Sequence, residues 1–428
     1  MHRHIDPWPA HRKKGPNTPS RLHEATRGAL GRFCTQSPSF LDSQRPLPHT
    51  QGHHTGHTLL GVAPIPCAHQ IRPRRDPLAP SRREPVFLDG VARLAQPRMV
   101  APCRALDTPR LVALEGPHYV SSHAMPCPHG LPRHLTKGPT LSAPAALTPV
   151  RGGPGPSQGI ALPPEDILPQ DGHAKQACER AAGTRWRATH AARVAPPGGP
   201  FLGAALSRTP PFGAWGLHHR GHCLVTCKPD APPTCAERVA CWQATGGLAE
   251  RAGRRWHGRF TAVPLGRYRN DVLLRGGDDA GSVPGFAITV VHAPTGAPRS
   301  HHRGISHPRL TADNVVHVAP ARRGRWKIAH AKNHVLKTKG SHLDHNLGPG
   351  QQSRAAVMRS LTLLALLCHT VVAWSDAKDA VLRPVLARRQ TFFHALQAFM
   401  RSRVFDSGDP LINFMRRGLA LASQFDTS

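Results

Sequence analysis

The longest apolar run of the chain, Leu361 to Trp374, sets the first constraint on its fold. Thr362, His369 and Thr370 interrupt it, and it falls short of the roughly 20 apolar residues that a membrane span needs. Val357, Leu361, Leu364, Cys368 and Val371 recur at steps of four and three, the spacing of one helix stripe. The run is therefore expected to be a helix buried in a protein core, with no membrane partner. Two more amphipathic segments follow, Phe392 to Met400 and Leu411 to Leu419, divided by Ser407-Gly-Asp-Pro410, whose residues favour a turn. Residues 351–428 are expected to form a helical C-terminal region.

Upstream the apolar period changes. Arg110 to Ala113, His222 to Cys227, Tyr268 to Leu274 and Phe286 to His292 are short, rich in Val, Leu and Ile, and mostly bounded by Gly or Pro, as strands are. Lys175 to Ala192, dominated by Ala, Arg, Gln and Glu, has helix-forming composition. Pro294, Pro298 and Pro308 fall in segments that otherwise look regular, and each removes a donor and restricts its predecessor, so marginal stability is expected. Val150 to Gln158 contains Arg-Gly-Gly-Pro-Gly-Pro-Ser and is expected to be a loop. No Gly-Lys-Ser/Thr follows it, so it is not a phosphate-binding loop. The pattern is mixed α/β with a helical tail.

Charge narrows the function classes. Against 25 Asp+Glu stand 56 Lys+Arg, a formal net charge of +31, which calls for a polyanionic partner and makes nucleic acid the leading candidate. Such charge supplies salt-dependent phosphate affinity and says nothing about reaction type. With 45 Pro and 39 Gly in 428 residues, the chain stays below the roughly 25–30% that marks disorder. The ten cysteines follow no secretory signal, which fits a reducing cytoplasm. Of Cys223, Cys227, Cys235 and Cys241, only the first two approach a paired-ligand spacing, so buried thiols along a strand are expected rather than zinc. His53-His54-Thr-Gly-His57 and His301-His302 lack a partner acid or cysteine at ligand spacing.

The stretch from Gly324 to Gly350 opens with Arg325-Trp326-Lys327-Ile328-Ala329 and continues through Lys332, Lys337 and Lys339. It resembles the third active-site helix of bacterial insertion-sequence transposases of the DDE type, with Arg325 and Lys337 similar to the Arg and Lys of their Tyr/Arg/Glu/Lys signature. Arg322 stands where that signature has Tyr. Val112-Ala-Leu-Glu-Gly116 resembles the strand bearing the first catalytic acid, and Phe201-Leu-Gly-Ala-Ala-Leu206 the place of the second. Cys227-Lys-Pro-Asp230 and Leu310-Thr-Ala-Asp-Asn-Val315 continue the resemblance after it, Ala161 to Gly172 resembles the connecting segment between the first two acid positions, and Gly15 to Thr18 and Thr35 to Leu41 resemble the N-terminal region. The resemblance spans nearly the whole chain.

It implies a ribonuclease-H-like mixed sheet flanked by helices. The first acid would lie on a central strand, the second after a later strand, and the third on a helix alongside. Such carboxylates hold Mg²⁺ for in-line displacement at phosphorus. The positions assigned to them are Glu115, Ala204 or Ala205, and Ala329. Glu115 keeps the charge but moves it one methylene outward, and a misplacement of about 1 Å can cost on the order of 100-fold. Its alternative role is a solvent-facing charge at a strand end. Ala204, Ala205 and Ala329 offer no side-chain oxygen, so Mg²⁺, the cofactor that the resemblance implies, would have Glu115 as its sole ligand of the three.

The expected organisation is a basic N-terminal DNA-binding region over 1–106, a transposase core over 107–350 with a β-rich insertion about 222–300, and the helical region 351–428. Arg325, Lys327, Lys332, Lys337 and Lys339 are candidate phosphate contacts along one helix and its exit, or else a solvated basic face. Trp326 suits a core anchor beside Ile328. The expected function is that of a transposase-family protein, acting on the terminal repeats of an element in the cytoplasm at the nucleoid. A homodimer is compatible with this, and strand cleavage is expected to be lost. A non-enzymatic DNA-binding repressor and a relic without function remain as alternatives.

Overall fold

The computed structural model describes residues 5, 22–44, 56–62, 80–96, 111–114, 116, 130–133, 141–152, 159–167, 179–194, 201–203, 223–227, 241–242, 244, 247–256, 261–273, 282–307, 309–315, 317–318, 330–338, 340–341, 343, 353–386, 388–419 and 421. In chain order the helices are α1 (Leu22–Thr35), α2 (Phe40–Gln44), α3 (Glu84–Arg93), α4 (Glu179–Val194), α5 (Val335–Thr338), α6 (Arg354–Ser375), α7 (Ala377–Val385), α8 (Arg389–Ser402) and α9 (Gly408–Gly418). The strands are β1 (Leu111–Ala113), β2 (Gly130–Arg133), β3 (Leu141–Leu147), β4 (Val150–Gly152), β5 (Ile160–Ala161), β6 (Glu165–Ile167), β7 (Phe201–Gly203), β8 (Cys223–Cys227), β9 (Ala249–Ala252), β10 (Arg255–Trp256), β11 (Thr261–Leu273), β12 (Ser282–His292) and β13 (Pro298–His307). The fold is mixed α/β, with helices and antiparallel as well as parallel strand pairs.

Two compact units divide it. One comprises Met1–Met99, His118–Ala145 and Lys332–Ser428; the other comprises Val100–Pro117 and Ala146–Ala331.

The first unit is mainly helical. The sequence stripe on α6 is buried as expected at Val357, Leu361 and Leu364, and the helix packs against α1, α3 and α7. It runs 22 residues, beginning seven before Leu361, so by length and apolarity alone it could cross a membrane. Most of its apolar window is instead packed inside the protein. Leu22, Ala25, Ala29, Leu30 and Phe33 form the buried stripe of α1. Gly90 on α3 allows close approach to α6, since a Cβ there would lie 2.7 Å from Leu367 Cδ2. The Arg83 guanidinium donates to the Ala356 carbonyl and the Ser360 hydroxyl. A second cluster joins Leu382, Phe392, Phe393, Leu396, Leu411 and Met415 from the last three helices with Phe405 from the link between α8 and α9. At the start of α7, the Asp376 carboxylate accepts from Lys378 N at 2.8 Å and Asp379 N at 3.4 Å, capping two otherwise unmatched donors. Ser407 to Pro410, expected as a turn, is a helix start: Ser407 is extended and α9 begins at Gly408, because Gly, Asp and Pro suit the first turn of a helix.

The second unit is built on one sheet, ordered β10-β11-β12-β13-β8-β7-β1-β4-β5, with β9 also paired to β11. Val150–Gly152, expected within a loop, is strand β4 and is buried. Its backbone pairs with β1 through Ala113↔Val150 and with β5 through Val150↔Ala161, which outweighs the turn-forming residues that follow. β1 is parallel to β7, and β7 to β8. The long β11–β12–β13 meander continues the sheet beyond β8. The expected strand Tyr268 to Leu274 is the end of a 13-residue strand beginning at Thr261. Pro298 begins β13 and Pro294 lies in the preceding turn, where missing N–H groups disturb the ladder least. Ala113, Val150, Leu224, Phe286, Ile288, Leu310 and Val318 make its core. α4 is fixed beside β6 by Trp186, fully buried, whose Nε1 donates to the Pro163 carbonyl at 2.7 Å. Arg185 holds Glu165 at 2.9 Å.

Candidate functional site

The first two acid positions follow adjacent strands. β1 and β7 are parallel neighbours with Val112 opposite Phe201 and Ala113 opposite Leu202. Glu115 comes two residues after the end of β1, and Ala204 immediately after the end of β7. β1 lies between β7 and the antiparallel β4, and Val112, Ala113 and Leu114 are all buried. Gly183 of α4 faces Leu114, whose Cδ1 would lie 3.9 Å from a Cβ placed there. Glu115, Ala204, Ala205 and Ala329 themselves lie outside the described residues, as do Arg325, Lys327 and Lys339.

Of the candidate phosphate contacts, Lys332 and Lys337 are described. Lys332 lies in a single π-helical turn, His330–His334, which leads into α5. The residue is 5% exposed, so it is not presented to solvent as an open phosphate contact would require. Lys337 is half-buried, and Leu336 beside it is core.

A cationic row that the sequence reading missed crosses the meander. Arg267 is opposite Ala287, and Ala287 is opposite Arg303, which places the two arginines on one sheet face, two strands apart and so about 10 Å at the backbone. The next row of the same face carries Leu265, Thr289 and His301, with Thr289 Oγ1 3.0 Å from His301 Nδ1. Arg303 and His301 are exposed. Arg267 pairs with Glu250 on β9. Arg269 grips Asp271 through two contacts of 2.6 and 2.8 Å and lies over the Trp242 ring at 4.5 Å, and this grip lowers the Asp271 pKa. Alternation along three strands was the available signal; it could be used only once register was known.

Leu310 to Val315, one of the resembling segments, is held by reciprocal bonds. Asn270 Nδ2 donates to the Leu310 carbonyl at 3.0 Å, and Leu310 N donates to Asn270 Oδ1 at 2.8 Å. Thr311 N donates to Asn314 Oδ1 at 2.9 Å. These bonds secure a turn and leave Asp313 exposed.

In the helical unit a separate cavity of about 450 Å³ lies between the α1–α2 corner, the residues after α5, and α8. Gln390, His394, Gln397 and Arg401 line it, spaced four, three and four residues apart along α8. Polar residues at helical spacing, opposite Phe392 and Leu396, were its sequence signature. Gln397 Nε2 donates to the Thr35 carbonyl at 2.7 Å, and Arg401 approaches Asp42 at 3.3 Å. Nearby, His369 Nε2 donates to the Cys34 carbonyl at 2.8 Å, and its ring meets Phe393 edge to face at 4.8 Å. Burial, then Arg389 and Arg383, lower the His369 pKa to about 3, so the ring is neutral at pH 7. The Cys34 thiol hydrogen-bonds Cys368, which together with burial pushes its pKa up.

No family model matches the chain, and no curated protein sequence matches it. Among solved structures it is similar to a piggyBac transposase synaptic complex with hairpin DNA, at 9% identity and a TM-score of 0.41, covering 99% of this chain and 78% of that one. A likeness of that size carries no argument about function.

Proposed function

We propose that this chain is a DNA-binding protein of transposase descent, with a ribonuclease-H-like core that no longer cleaves DNA. The observation that carries the proposal is the adjacency of β1 and β7. The sequence resemblance assigns the first two catalytic acids to Glu115 and to Ala204 or Ala205, and these positions follow two parallel neighbouring strands. The first of those strands has partners on both sides, as the resemblance requires of a central strand. An antiparallel β1–β4–β5 arm, a helix before β7, and the parallel β1–β7–β8 arm also support the ribonuclease-H-like reading.

The donor set does not fit Mg²⁺. That ion takes near-octahedral oxygen coordination from carboxylates and water, whereas the residues after β7 are alanines and Ala329 replaces the third acid. One carboxylate, Glu115, supplies too little negative charge to assemble a two-metal centre. No cleavage step is therefore assigned to this site.

DNA binding rests on the formal charge of +31 and on the Arg267–Ala287–Arg303 row, which suits phosphate contacts of positioning rather than base-reading type. Fluorescence anisotropy with a labelled duplex tests it across a series of salt concentrations. The logarithm of affinity should fall linearly with that of salt, and Arg303→Ala should make the slope shallower by about one. An unchanged slope would remove the row from the interface.

A further inference from the structure

The cavity beside α8 takes no part in the proposed DNA contacts, yet its walls are unusually specified. Gln36, which follows the last residue of α1, has φ +54°, the left-handed close of that helix, with Ser37 N donating to the Arg32 carbonyl at 3.1 Å, and this cap turns the Gln36 side chain to the cavity wall. Its Nε2 donates to Ser341 Oγ at 3.0 Å, which fixes the amide at the wall. Gly340 (φ +92°) packs against that amide so closely that a Cβ would lie 2.7 Å from Gln36 Oε1. The cavity's 450 Å³ lies within the roughly 300–1,000 Å³ of small-molecule sites.

Its chemistry selects a ligand class. Gln36, Gln390 and Gln397 bring three carboxamides to the lining, each with a donor and an acceptor group. Gln397 spends a donor on Thr35 and retains its Oε1 as an acceptor. Mixed donor and acceptor edges are what a nucleobase presents, and Gln pairs with such edges in two-bond fashion. Phe393 adds an apolar wall. Arg401 stands at the lining with a side chain 48% exposed, and its pair with Asp42 is long and partly solvated. An exposed pair of this kind contributes about 0–1 kcal/mol, so a phosphate group can compete for Arg401 with a charge-assisted, two-pronged contact, against repulsion from the Asp42 carboxylate, which also lines the cavity.

We propose that this cavity binds a nucleoside monophosphate unit, with its base among the Gln36, Gln390 and Gln397 amides and its phosphate on Arg401. The unit is either a free nucleotide or one nucleotide of a DNA strand. The site is independent of the sheet arginines invoked for duplex binding, so either proposal can fail without the other.

The test is calorimetric titration of the full chain with each of the four deoxynucleoside 5′-monophosphates, alongside orthophosphate and ribose 5-phosphate. At least one nucleotide should bind with Kd below about 1 mM and about tenfold more tightly than either base-free phosphate. Arg401→Ala and Gln390→Ala, both at exposed positions that the core does not need, should each weaken it about fivefold or more. A single-stranded tetranucleotide distinguishes the sources: competition at equal or lower concentration assigns the site to a strand, and weaker competition to free nucleotide. Absence of nucleotide binding, equal binding of orthophosphate, or unchanged affinity in both exposed-site variants would overturn the proposal.

Discussion

Lowering the pH from 7 to 5 should destabilise the helical unit through His369, and replacing His369 with Gln should remove that part of the loss. The half-buried His369 lies between the α1 terminus and Phe393, with Arg383 and Arg389 nearby. Burial is the largest cause of its lowered pKa, repulsion from the two arginines follows, and the bond to the Cys34 carbonyl opposes both. The folded value is about 3 against 6.5 for the free side chain, so between those limits the unfolded chain binds the proton and the folded chain does not. Stability from this group is complete above pH 6.5 and is lost as pH falls towards 3. At 1.36 kcal/mol per pH unit, the loss at pH 5 is on the order of 2 kcal/mol, and over the whole interval on the order of 4. His369→Gln keeps a donor for the Cys34 carbonyl and does not titrate. Urea unfolding followed by circular dichroism at pH 7 and pH 5 supplies the comparison, since the difference between wild type and variant cancels the other titrating histidines. The wild type should lose about 2 kcal/mol more than the variant. Equal losses would refute the account of His369 as a neutral base held by its packing.

Three substitutions test the packing. Gly90→Ala should destabilise the α3–α6 contact by about 1–3 kcal/mol in urea unfolding, because the new methyl meets Leu367 at 2.7 Å. Trp186→Phe should cost about 1–3 kcal/mol by leaving the Pro163 carbonyl without its indole donor, with a matching loss of amide protection in α4 under hydrogen exchange. Asp376→Ala should cost about 0.5–2 kcal/mol by uncapping α7, while Asp376→Asn should restore much of that stability.

Much of the fold could be read from local pattern. The stripe in α6, the strands β1, β8 and β12, and helix α4 fall where apolar period and composition put them. What escaped depends on partners distant in sequence. Val150–Gly152 reads as loop because Gly and Pro follow it, but β1 and β5 capture it on both edges. Lys332 reads as a surface cation, yet the π-helical turn at His330–His334 accompanies its burial, a local winding that residue spacing does not announce. Arg267 and Arg303 are 36 positions apart and become neighbours across β12 only through register. The cavity on α8 was partly legible as four polar residues at helical spacing. Its other walls come from Gln36 and Gly340, whose backbone conformations no side-chain pattern reveals.

The central claim, DNA binding without strand cleavage, is tested most directly by incubating purified chain with end-labelled duplex from the DNA flanking its gene, in Mg²⁺. The same mixture is then resolved on native and denaturing gels. The account predicts a salt-sensitive shift on the native gel and full-length strands on the denaturing gel. Nicked strands that disappear with Glu115→Ala would contradict the loss of catalysis, and an unshifted duplex at low salt would contradict DNA binding.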